Sequence, residues 1–439
     1  MKLRNFISSS IGKTVSQLSR LRGGHGSALP GLVIDKFDHK FLERSLSQLP
    51  FGVAIISGTN GKTTTTKMVV ELLRANGLRV LTNDSGSNFA RGVASSVAQK
   101  MRRGRLEFDI AILELDEAHA VNFVREIKPN YSLLLNVLRD QLDRFGEIDT
   151  TAKMLNEIAK NTTREIVLNA MDPRIAANAK ITPARISWFG FAPKLARLFP
   201  TDEQLHDKID SDNLELRDNK TNEIFLNDFR ENFVEYGFND KRTEVEMSAK
   251  GAHNALNGAA TLQLVRVILS DNLFAKPEYN NLKKFDFKYD VNLLSRVNPA
   301  FGRGENIVLK NKQVVLNLVK NPAGFQSVLS SSKPDLPTLF AINDNYADGR
   351  DVSWLYDVDF RNFRENNDLY TTGIRAYDMA LRLDYDKVKT LEVNIDISQI
   401  LADFIDSKYD QIQIFATYTA MLEIRRRLEK IAQRENAND

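Results

Sequence analysis

Short apolar runs alternate with longer stretches of helical spacing through the first half of the chain. The runs of strand length are 53–56, 80–82, 110–115, 132–136 and 166–169. Between them, apolar residues recur every three or four positions over 63–73, 95–101 and 152–159. Strands that alternate with helices build parallel sheets, so the pattern predicts an α/β fold made of βαβ units.

The rest of the chain divides into three parts. Residues 188–250 are charged and hairpin-like, with a turn expected at 218–220, and a helix is predicted from 251 to about 269. Residues 301–305 resemble a linker. After them the alternation returns, with strands expected at 314–319, 339–342, 370–371 and 412–415 and a helix at 420–431. The last third therefore contains a second predicted α/β region.

Length and composition limit the class of protein. A chain of 439 residues has room for roughly three domains. It contains no cysteine, which excludes disulfides, thiolate metal sites and a cysteine nucleophile. A net charge of +3 is too small to indicate a nucleic-acid partner, and no apolar run reaches the ~18 residues that span a bilayer. We therefore expect a cytoplasmic protein.

The N-terminal segment is basic and has helical spacing. Its apolar residues over 5–22 are Ile7, Ile11, Val15, Leu18 and Leu21, and five Lys or Arg residues precede the first acid, Asp35. A packed helix with a solvated basic face is the favoured interpretation. The alternative is a basic amphipathic helix that touches an anionic membrane.

A glycine-rich turn between a predicted strand and a predicted helix is the strongest motif in the sequence. Its residues are Gly58, Thr59, Asn60, Gly61, Lys62, Thr63 and Thr64. Backbone N–H groups of such a turn point towards the N-terminus of the helix, where the helix dipole favours anions. Lys62 can reach the outer phosphates and Thr63 can place a hydroxyl on Mg²⁺. The turn therefore predicts a nucleotide site, and a glycine turn with a solvated lysine is the alternative.

Polar residues follow the predicted parallel strands, whose carboxyl ends are where ligands bind in such sheets. Glu114, with Asp116 and Glu117 after it, ends the most apolar run, and its carboxylate can hold the Mg²⁺ that Thr63 also contacts. Residues 83–88 either line a substrate pocket or form an ordinary turn. Residues 136–146 carry charged and amide side chains, and a capped helix start is the alternative there.

Two later segments have polar residues that suggest binding. His253, Asn254 and Asn257 share one face of the helix predicted after Gly251, which suits an adenine or a phosphate, although amides also cap helix N-termini. The segment 343–359 holds five aspartates together with aromatic residues. A catalytic or partner-docking loop is favoured there over a solvated or calcium-binding turn.

Taken in order, these motifs resemble the Mur ligase family, which consists of ATP-dependent carboxylate–amine ligases of peptidoglycan synthesis. The resemblance lies in residues 58–63, 140–146, 251–257 and 302–303, together with Glu114. It implies a central P-loop ATPase domain with a parallel sheet, followed by a smaller Rossmann-like α/β domain. We expect a basic helical segment over 1–46, the central domain over 47–300 with a hairpin insertion at about 188–250, and the C-terminal domain over 301–439.

The resemblance also implies roles for single residues. Lys62 and Thr63 would bind ATP phosphates and Mg²⁺, and Glu114 would bind Mg²⁺. The remaining nucleotide contacts would come from Asn254 and Asn257, from Arg303 on phosphate, and from the turn residues Gly58, Thr59, Asn60, Gly61 and Thr64. Gln141 stands where amino-acid-adding members have a metal-binding histidine, and Lys153 is the nearest candidate for the family's carbamylated lysine.

Residues 320–325 and 351–354 are similar to one subfamily, whose synthetase works with a separate glutaminase. That likeness implies ATP-dependent amidation of the α-carboxyl of D-glutamate in the lipid II stem peptide, through an acyl phosphate, to D-isoglutamine. Asp351 matches the aspartate that completes the partner's Cys-His-Asp triad. A chain without cysteine cannot supply that thiolate, which agrees with a partner. The subfamily's four-cysteine zinc ribbon is absent, so we expect no zinc.

Two other functions stay open. A Mur-type ligase that adds an amino acid would need a pocket for its carboxylate and no partner; Gln141 and the Asp351 segment disfavour it. A non-catalytic nucleotide-binding scaffold would be favoured by loss of Lys62 or Glu114, and both residues are present.

Overall fold

A computed structural model describes residues 2–21, 28–83, 90–138, 148–199, 222–230, 233–249, 251–272, 276–297, 303–309, 312–330, 332–406 and 408–436. The chain forms two compact units. The larger takes in residues 1–138, 148–248 and 252–297, and the smaller is built mainly from residues 298–439. The division of the chain into three domains stays a prediction.

The larger unit is organised around a nine-stranded sheet with the strand order β2-β3-β1-β4-β5-β6-β7-β8-β9. Its strands are β1 (Val53–Ser57), β2 (Val80–Thr82), β3 (Ile110–Glu114), β4 (Tyr131–Leu134), β5 (Glu165–Asn169), β6 (Arg185–Phe191), β7 (Ile224–Arg230), β8 (Phe233–Phe238) and β9 (Lys241–Glu246). Neighbouring strands from β2 to β7 are parallel, and β7, β8 and β9 form an antiparallel meander. The antiparallel part lies in the region predicted to be hairpin-like.

Helices cover this sheet. They are α1 (Lys2–Leu21), α2 (Ala28–Phe37), α3 (Phe41–Leu46), α4 (Lys62–Ala75), α5 (Ala90–Lys100), α6 (Glu117–Glu126), α7 (Ile148–Asn161), α8 (Pro173–Ala176), α9 (Ala252–Leu269) and α10 (Phe287–Leu293). Every residue of β1 and β3 is buried, as expected for parallel strands with helices on both faces. This explains why these strands are continuous apolar runs in the sequence.

The smaller unit has a six-stranded sheet with the order β10-β11-β15-β12-β13-β14. Its strands are β10 (Arg303–Leu309), β11 (Lys312–Leu318), β12 (Thr338–Ala341), β13 (Leu369–Thr372), β14 (Glu392–Asn394) and β15 (Gln411–Ala416), and its helices are α11 (Pro322–Ser330), α12 (Ala376–Tyr385), α13 (Ile397–Ile405) and α14 (Tyr418–Asn436). Only the β10–β11 pair of this sheet is antiparallel. An apolar cluster of this unit is rich in phenylalanine, with Phe325, Phe340, Phe360, Phe363 and Phe415.

The predicted α/β class is therefore confirmed, and one local prediction is wrong. Arg303 was expected in a linker, but it begins β10 because its backbone pairs with Asn317 of β11. Among the described residues, no helix has the length and apolar character needed to cross a membrane.

Candidate functional site

The glycine-rich turn lies at the carboxyl end of β1 and leads directly into α4. Gly58 and Gly61 have φ angles of 130° and 88°, which glycine adopts without steric cost. A Cβ atom on Gly58 would lie 2.9 Å from the backbone oxygen of Asn136, and one on Gly61 would lie 2.5 Å from Asn257 Oδ1. Both glycines therefore allow other elements to approach the loop closely.

Asn136, shortly after β4, holds this loop from one side. The backbone N–H of Asn60 donates to Asn136 Oδ1 at 2.9 Å, and Asn136 Nδ2 donates to the backbone oxygen of Asn60 at 3.0 Å. The backbone N–H of Thr59 donates to the backbone oxygen of Asn136 at 3.0 Å. Leu138 N–H donates to Thr59 Oγ1 at 3.1 Å. These bonds occupy the N–H groups of Thr59 and Asn60 and fix the conformation of the loop.

Lys62 is the first residue of α4, and its side chain turns back over the loop. Its Nζ donates to the backbone oxygens of Gly58 at 2.7 Å and of Thr59 at 3.3 Å. It also lies 3.3 Å from Asp116 Oδ1 and 3.4 Å from Glu117 Oε2. The cation is therefore buried and paired at the place where loops of this kind bind phosphate.

Thr63 and Glu114 meet across the ends of α4 and β3. Thr63 Oγ1 donates to Glu114 Oε1 at 2.7 Å. Asn83, at the end of β2, pairs with the backbone of Glu114, since Glu114 N–H donates to Asn83 Oδ1 at 3.0 Å and Asn83 Nδ2 donates to Glu114 O at 2.9 Å. The carboxylate is therefore carried on a backbone fixed from both neighbouring strands.

The chemistry of this pair fits Mg²⁺. The ion takes oxygen ligands and is commonly bound by one or two carboxylates, with waters and substrate phosphates completing its shell. A hydroxyl and a carboxylate oxygen 2.7 Å apart are ligands of that kind. Within the described ranges, no group of three or more His, Asp or Glu side chains is arranged to hold a metal.

Thr64 follows in the first turn of α4 and is 3% exposed. Its hydroxyl has no hydrogen-bond partner in the part of the chain that the structure describes. The hydroxyls of Thr65 and Thr66 in the same helix are in the same situation, so this feature does not distinguish Thr64. Its place in the nucleotide-binding set stays a prediction.

The three polar residues at the start of α9 have different surroundings. Asn257 is buried, and its carboxamide packs directly on Gly61. His253 contacts the ring of Phe199 edge-on, with centroids 5.4 Å apart, and burial lowers the pKa of His253 to about 4. Asn254 is partly exposed in the same turn. The structure therefore brings Asn257 to the phosphate-binding loop, while His253 is a neutral packing residue at pH 7.

In the smaller unit, Asp351 precedes a short 3-10 turn, Ser353–Asp357. Its Oδ1 accepts a hydrogen bond from Ser353 N–H at 2.8 Å, and the side chain is partly exposed. Arg382 supports this turn from beneath: it is 6% exposed, and its Nε donates to the backbone oxygen of Leu355 at 3.0 Å. Asp351 is therefore held in place at one oxygen while remaining open to solvent.

Three other aspartates of the same acidic segment have structural partners. Asp348 is buried and caps α14, because Thr419 N–H donates to its Oδ1 at 2.7 Å. Asp344 forms an ion pair with Arg375, with 2.7 Å between Asp344 Oδ2 and Arg375 Nη2. Asp359 pairs with Arg361. A cavity of about 540 Å³ lies beside the segment and is lined by Asp344, Asn345, Tyr346, Arg350 and Arg375.

Several predicted residues gain no further support. Residues 84–88 of the possible substrate pocket and residues 139–146 of the polar segment, with Gln141, lie outside the described residues. Lys153 is exposed on α7. Arg303 is placed in β10, as stated above. For these residues the predicted roles stay predictions.

Sequence reasoning missed Asp172, which lies between β5 and α8. Its carboxylate accepts hydrogen bonds from the backbone N–H groups of Val137, Arg174 and Ile175. The only available signal was an aspartate before Pro173, which is typical of a helix cap. Nothing in the sequence shows that the same side chain reaches Val137.

This fold and site define an α/β P-loop ligase of the Mur type. The profile of the Mur ligase middle domain matches residues 56–265, and that of the MurT ligase C-terminal domain matches residues 318–421. The chain is also similar in fold to MurF ligase from Thermotoga maritima, solved with ADP, with a TM-score of 0.64 at 16% identity over 91% of this chain and 84% of that one.

Two relatives narrow the family. Subunit MurT of the glutamine-hydrolysing lipid II isoglutaminyl synthase from Streptococcus pneumoniae is 30% identical over 95% of this chain and 94% of its own length. The MurT subunit from Staphylococcus aureus strain COL is 28% identical over 96% of this chain and 98% of its own length. The chain belongs to the MurT family of Mur ligases, and it is a ligase.

Proposed function

We propose that this protein is the synthetase subunit of a two-subunit enzyme that amidates lipid II. It would convert the α-carboxyl of D-glutamate in the stem peptide to the amide of D-isoglutamine, at the expense of ATP. The observation that carries the proposal is a glycine-rich loop between β1 and α4, with Lys62 and the Thr63–Glu114 pair, in a chain that matches MurT subunits over nearly its whole length. Neither the amino-acid-adding ligase nor the non-catalytic scaffold is supported by both a site and a full-length sequence similarity.

The reaction needs activation because a carboxylate is a poor electrophile. A carboxylate oxygen of the substrate attacks the γ-phosphorus of ATP, and the bond between that phosphorus and the β–γ bridging oxygen breaks. ADP leaves, and the substrate now carries an acyl phosphate. Ammonia then attacks the carbonyl carbon, and inorganic phosphate leaves as the C–N bond forms. Most of the catalysis of phosphoryl transfer is positioning and stabilisation of charge.

The residues of this chain would divide that work. Asn136 fixes the conformation of the loop through the N–H groups of Thr59 and Asn60, and the N–H groups that follow them in the loop would orient the phosphates. Lys62 would exchange its bonds to the loop oxygens for phosphate oxygens and would balance their growing negative charge. Mg²⁺, held by Thr63 and Glu114, would supply further charge neutralisation. Asn254 and Asn257 would contact the nucleotide, and Arg303 its phosphates.

The ammonia would come from a partner. Ammonia is largely protonated at neutral pH and the ammonium ion does not attack, so a sheltered supply from glutamine is useful. This chain has no cysteine, so a glutaminase of the GatD type would bring the thiolate. Asp351 would complete the partner's triad by orienting its histidine.

The surface around Asp351 supports a partner of this kind. Helix α12 exposes Tyr377, Leu381 and Tyr385, which are 67%, 53% and 69% accessible and spaced four residues apart on one helical face. Tyr356, in the turn after Asp351, packs against Tyr385 with ring centroids 5.7 Å apart. An exposed aromatic stripe continuous with this turn is typical of a protein interface. We place the docking surface of the glutaminase here.

The decisive experiment is an amidation assay with purified lipid II. The chain is supplied with ATP and Mg²⁺, first alone with an ammonium salt at raised pH, then with a co-expressed glutaminase and glutamine. We expect product in both cases, and with glutamine only when the partner is present. Lys62→Ala should abolish product, whereas Lys67→Ala, on the same helix, should retain it.

A different result would redirect the assignment. If neither ammonium nor glutamine gives amide but a free amino acid is ligated to a peptidoglycan precursor, the amino-acid-adding alternative is correct. Binding of ATP without any turnover of it would favour the scaffold.

A further inference from the structure

The outward face of the first helix is the unexplained feature of the larger unit. Leu3, Phe6 and Ile7 on α1 are 73%, 47% and 51% exposed. The same two turns of this helix bury Asn5, Ser8 and Ser9, which are at most 6% exposed. A helix on the surface of a soluble protein normally has the opposite arrangement, with its apolar stripe facing the core.

The inward orientation of the polar side is fixed by close packing. A Cβ atom on Gly12 would lie 2.5 Å from Ile34 Cδ1 of α2 and 3.1 Å from Ala98 Cβ of α5. Ser8 Oγ donates to Asp38 Oδ2 at 2.7 Å, and Arg44 Nε donates to Asn5 Oδ1 at 3.2 Å. The helix therefore cannot rotate to bury its apolar side without breaking these contacts.

A fourth exposed apolar residue lies at the end of the neighbouring helix α2. Phe37, at the end of α2, is 73% exposed. Its neighbour Asp38 receives the bond from Ser8 and lies 3.4 Å from Arg4, so the end of α2 lies beside the first turns of α1. We call Leu3, Phe6, Ile7 and Phe37 the N-terminal apolar face.

The charges around this face are mainly positive. Arg4, Lys36 and Lys40 are all exposed next to it. Residues 1–46 hold eight Lys and Arg against three Asp and Glu, in a chain whose net charge is only +3. One of those acids, Asp38, is buried, and Arg44 Nη1 donates to its Oδ1 at 3.0 Å. Exposed apolar side chains flanked by cations are the signature of a surface that binds anionic lipid.

We propose that the N-terminal apolar face docks on an anionic lipid bilayer, with Arg4, Lys36 and Lys40 at the level of the head groups. This inference goes beyond the proposed function. It rests on the proposed function only for the biological reason to bind a membrane, which is that a lipid-linked substrate lies there. It is tested without that substrate, so failure of one proposal is distinguishable from failure of the other.

The test is co-sedimentation of the full chain with vesicles of phosphatidylcholine, with and without about one-third phosphatidylglycerol. We expect binding to the anionic vesicles that weakens as salt rises, because the charge contribution is screened. Leu3→Ser with Phe37→Ser should lower the partition coefficient roughly tenfold or more. Lys36→Glu with Lys40→Glu should remove the preference for anionic vesicles.

Matched controls exclude a general effect of exposed apolar residues. Leu391 and Ile395 in the smaller unit are 59% and 63% exposed, and Leu391→Ser with Ile395→Ser should bind vesicles as the parent protein does. ADP affinity should be unchanged in all variants, which shows that they fold. Absence of binding to anionic vesicles at low salt would overturn the proposal. So would a dimer in light scattering that the Leu3 and Phe37 changes convert to monomer, since a second copy would then cover the face.

Discussion

Asp172 is joined to Val137 by a hydrogen bond in which Val137 N–H donates to Asp172 Oδ2 at 2.7 Å. The other carboxylate oxygen accepts from the N–H groups of Arg174 and Ile175, both at 3.0 Å. Burial raises the pKa of Asp172, and these three N–H groups counteract the rise. One side chain thus caps α8 and anchors the segment whose Asn136 holds the phosphate-binding loop.

We therefore expect Asp172 to act as a positioning residue for ATP. In Asp172→Asn, an amide NH₂ group replaces one of the two carboxylate oxygens. That NH₂ group cannot accept a hydrogen bond, so either the N–H of Val137 or the N–H groups at the start of α8 lose their acceptor. Loss of a hydrogen bond to a charged group is worth about 1.5–3 kcal/mol, so the affinity for ATP should fall roughly tenfold or more. The measurement is KM for ATP together with the ADP dissociation constant.

The control for this variant is Asp286→Asn. Asp286 caps α10 by accepting from Tyr289 N–H at 2.8 Å and has no bond to the loop. This variant keeps a capping acceptor and should leave KM for ATP unchanged. Asn136→Ala combined with Asp172→Asn should lose less affinity than the two single losses added together, because both act on one segment. If the losses of ATP affinity are additive, the two residues do not act through the same segment.

The contact between Thr63 and Glu114 predicts how the ligase depends on Mg²⁺. Glu114→Gln keeps the shape and an acceptor for the Thr63 hydroxyl but removes the charge that attracts the cation. We expect the Mg²⁺ concentration for half-maximal activity to rise roughly tenfold or more. Thr63→Ser should resemble the parent protein, and Thr63→Val should resemble Glu114→Gln. An unchanged Mg²⁺ requirement in both Glu114→Gln and Thr63→Val would remove this pair from the metal site.

The open carboxylate of Asp351 predicts a split between two ammonia sources. Asp351→Asn keeps an acceptor for Ser353 N–H but loses the charge that would stabilise a protonated histidine in the partner. Glutamine-driven amidation should fall roughly a thousandfold or more, while amidation with an ammonium salt should stay unchanged. Asp357→Asn, at the end of the same turn, serves as the control and should affect neither. Unchanged glutamine hydrolysis by the complex with Asp351→Asn would exclude the triad role.

His253 predicts a loss of stability in acid. Its pKa is about 4 in the folded protein because of burial, against about 6.5 in the unfolded chain. The unfolded state therefore takes up the proton first, so the free energy of unfolding should fall as pH drops from 6.5 to 4, by up to about 1.4 kcal/mol per pH unit. His253→Gln should lack this loss.

Urea denaturation of the parent protein and of His253→Gln at several pH values isolates the contribution of this histidine to the free energy of unfolding. Burial raises the pKa of Asp290 to about 6, so that carboxyl has the opposite effect and favours the folded state on acidification. It is present in both proteins and cancels in the difference. A difference between them that does not change with pH would mean that His253 is already solvated.

The local motifs were predictable because each depends on neighbours in the sequence. An apolar run, two glycines and a helical pattern suffice to indicate β1, the phosphate-binding loop and α4. Glu114 could be placed near Thr63 because parallel strands present their carboxyl ends at one edge. The contacts of Asp172 with Val137 and of Asn257 with Gly61 join residues 35 and 196 positions apart, and no local pattern encodes such pairs.

The class of fold, the glycine-rich loop, the lack of a thiolate and the acidic segment around Asp351 could all be recognised in the sequence. The structural role of single polar residues could not. Asp348 caps a helix and His253 packs against Phe199, and the apolar side of α1 faces outward. These features depend on the elements packed against each side chain, and hydrophobic periodicity does not specify those elements.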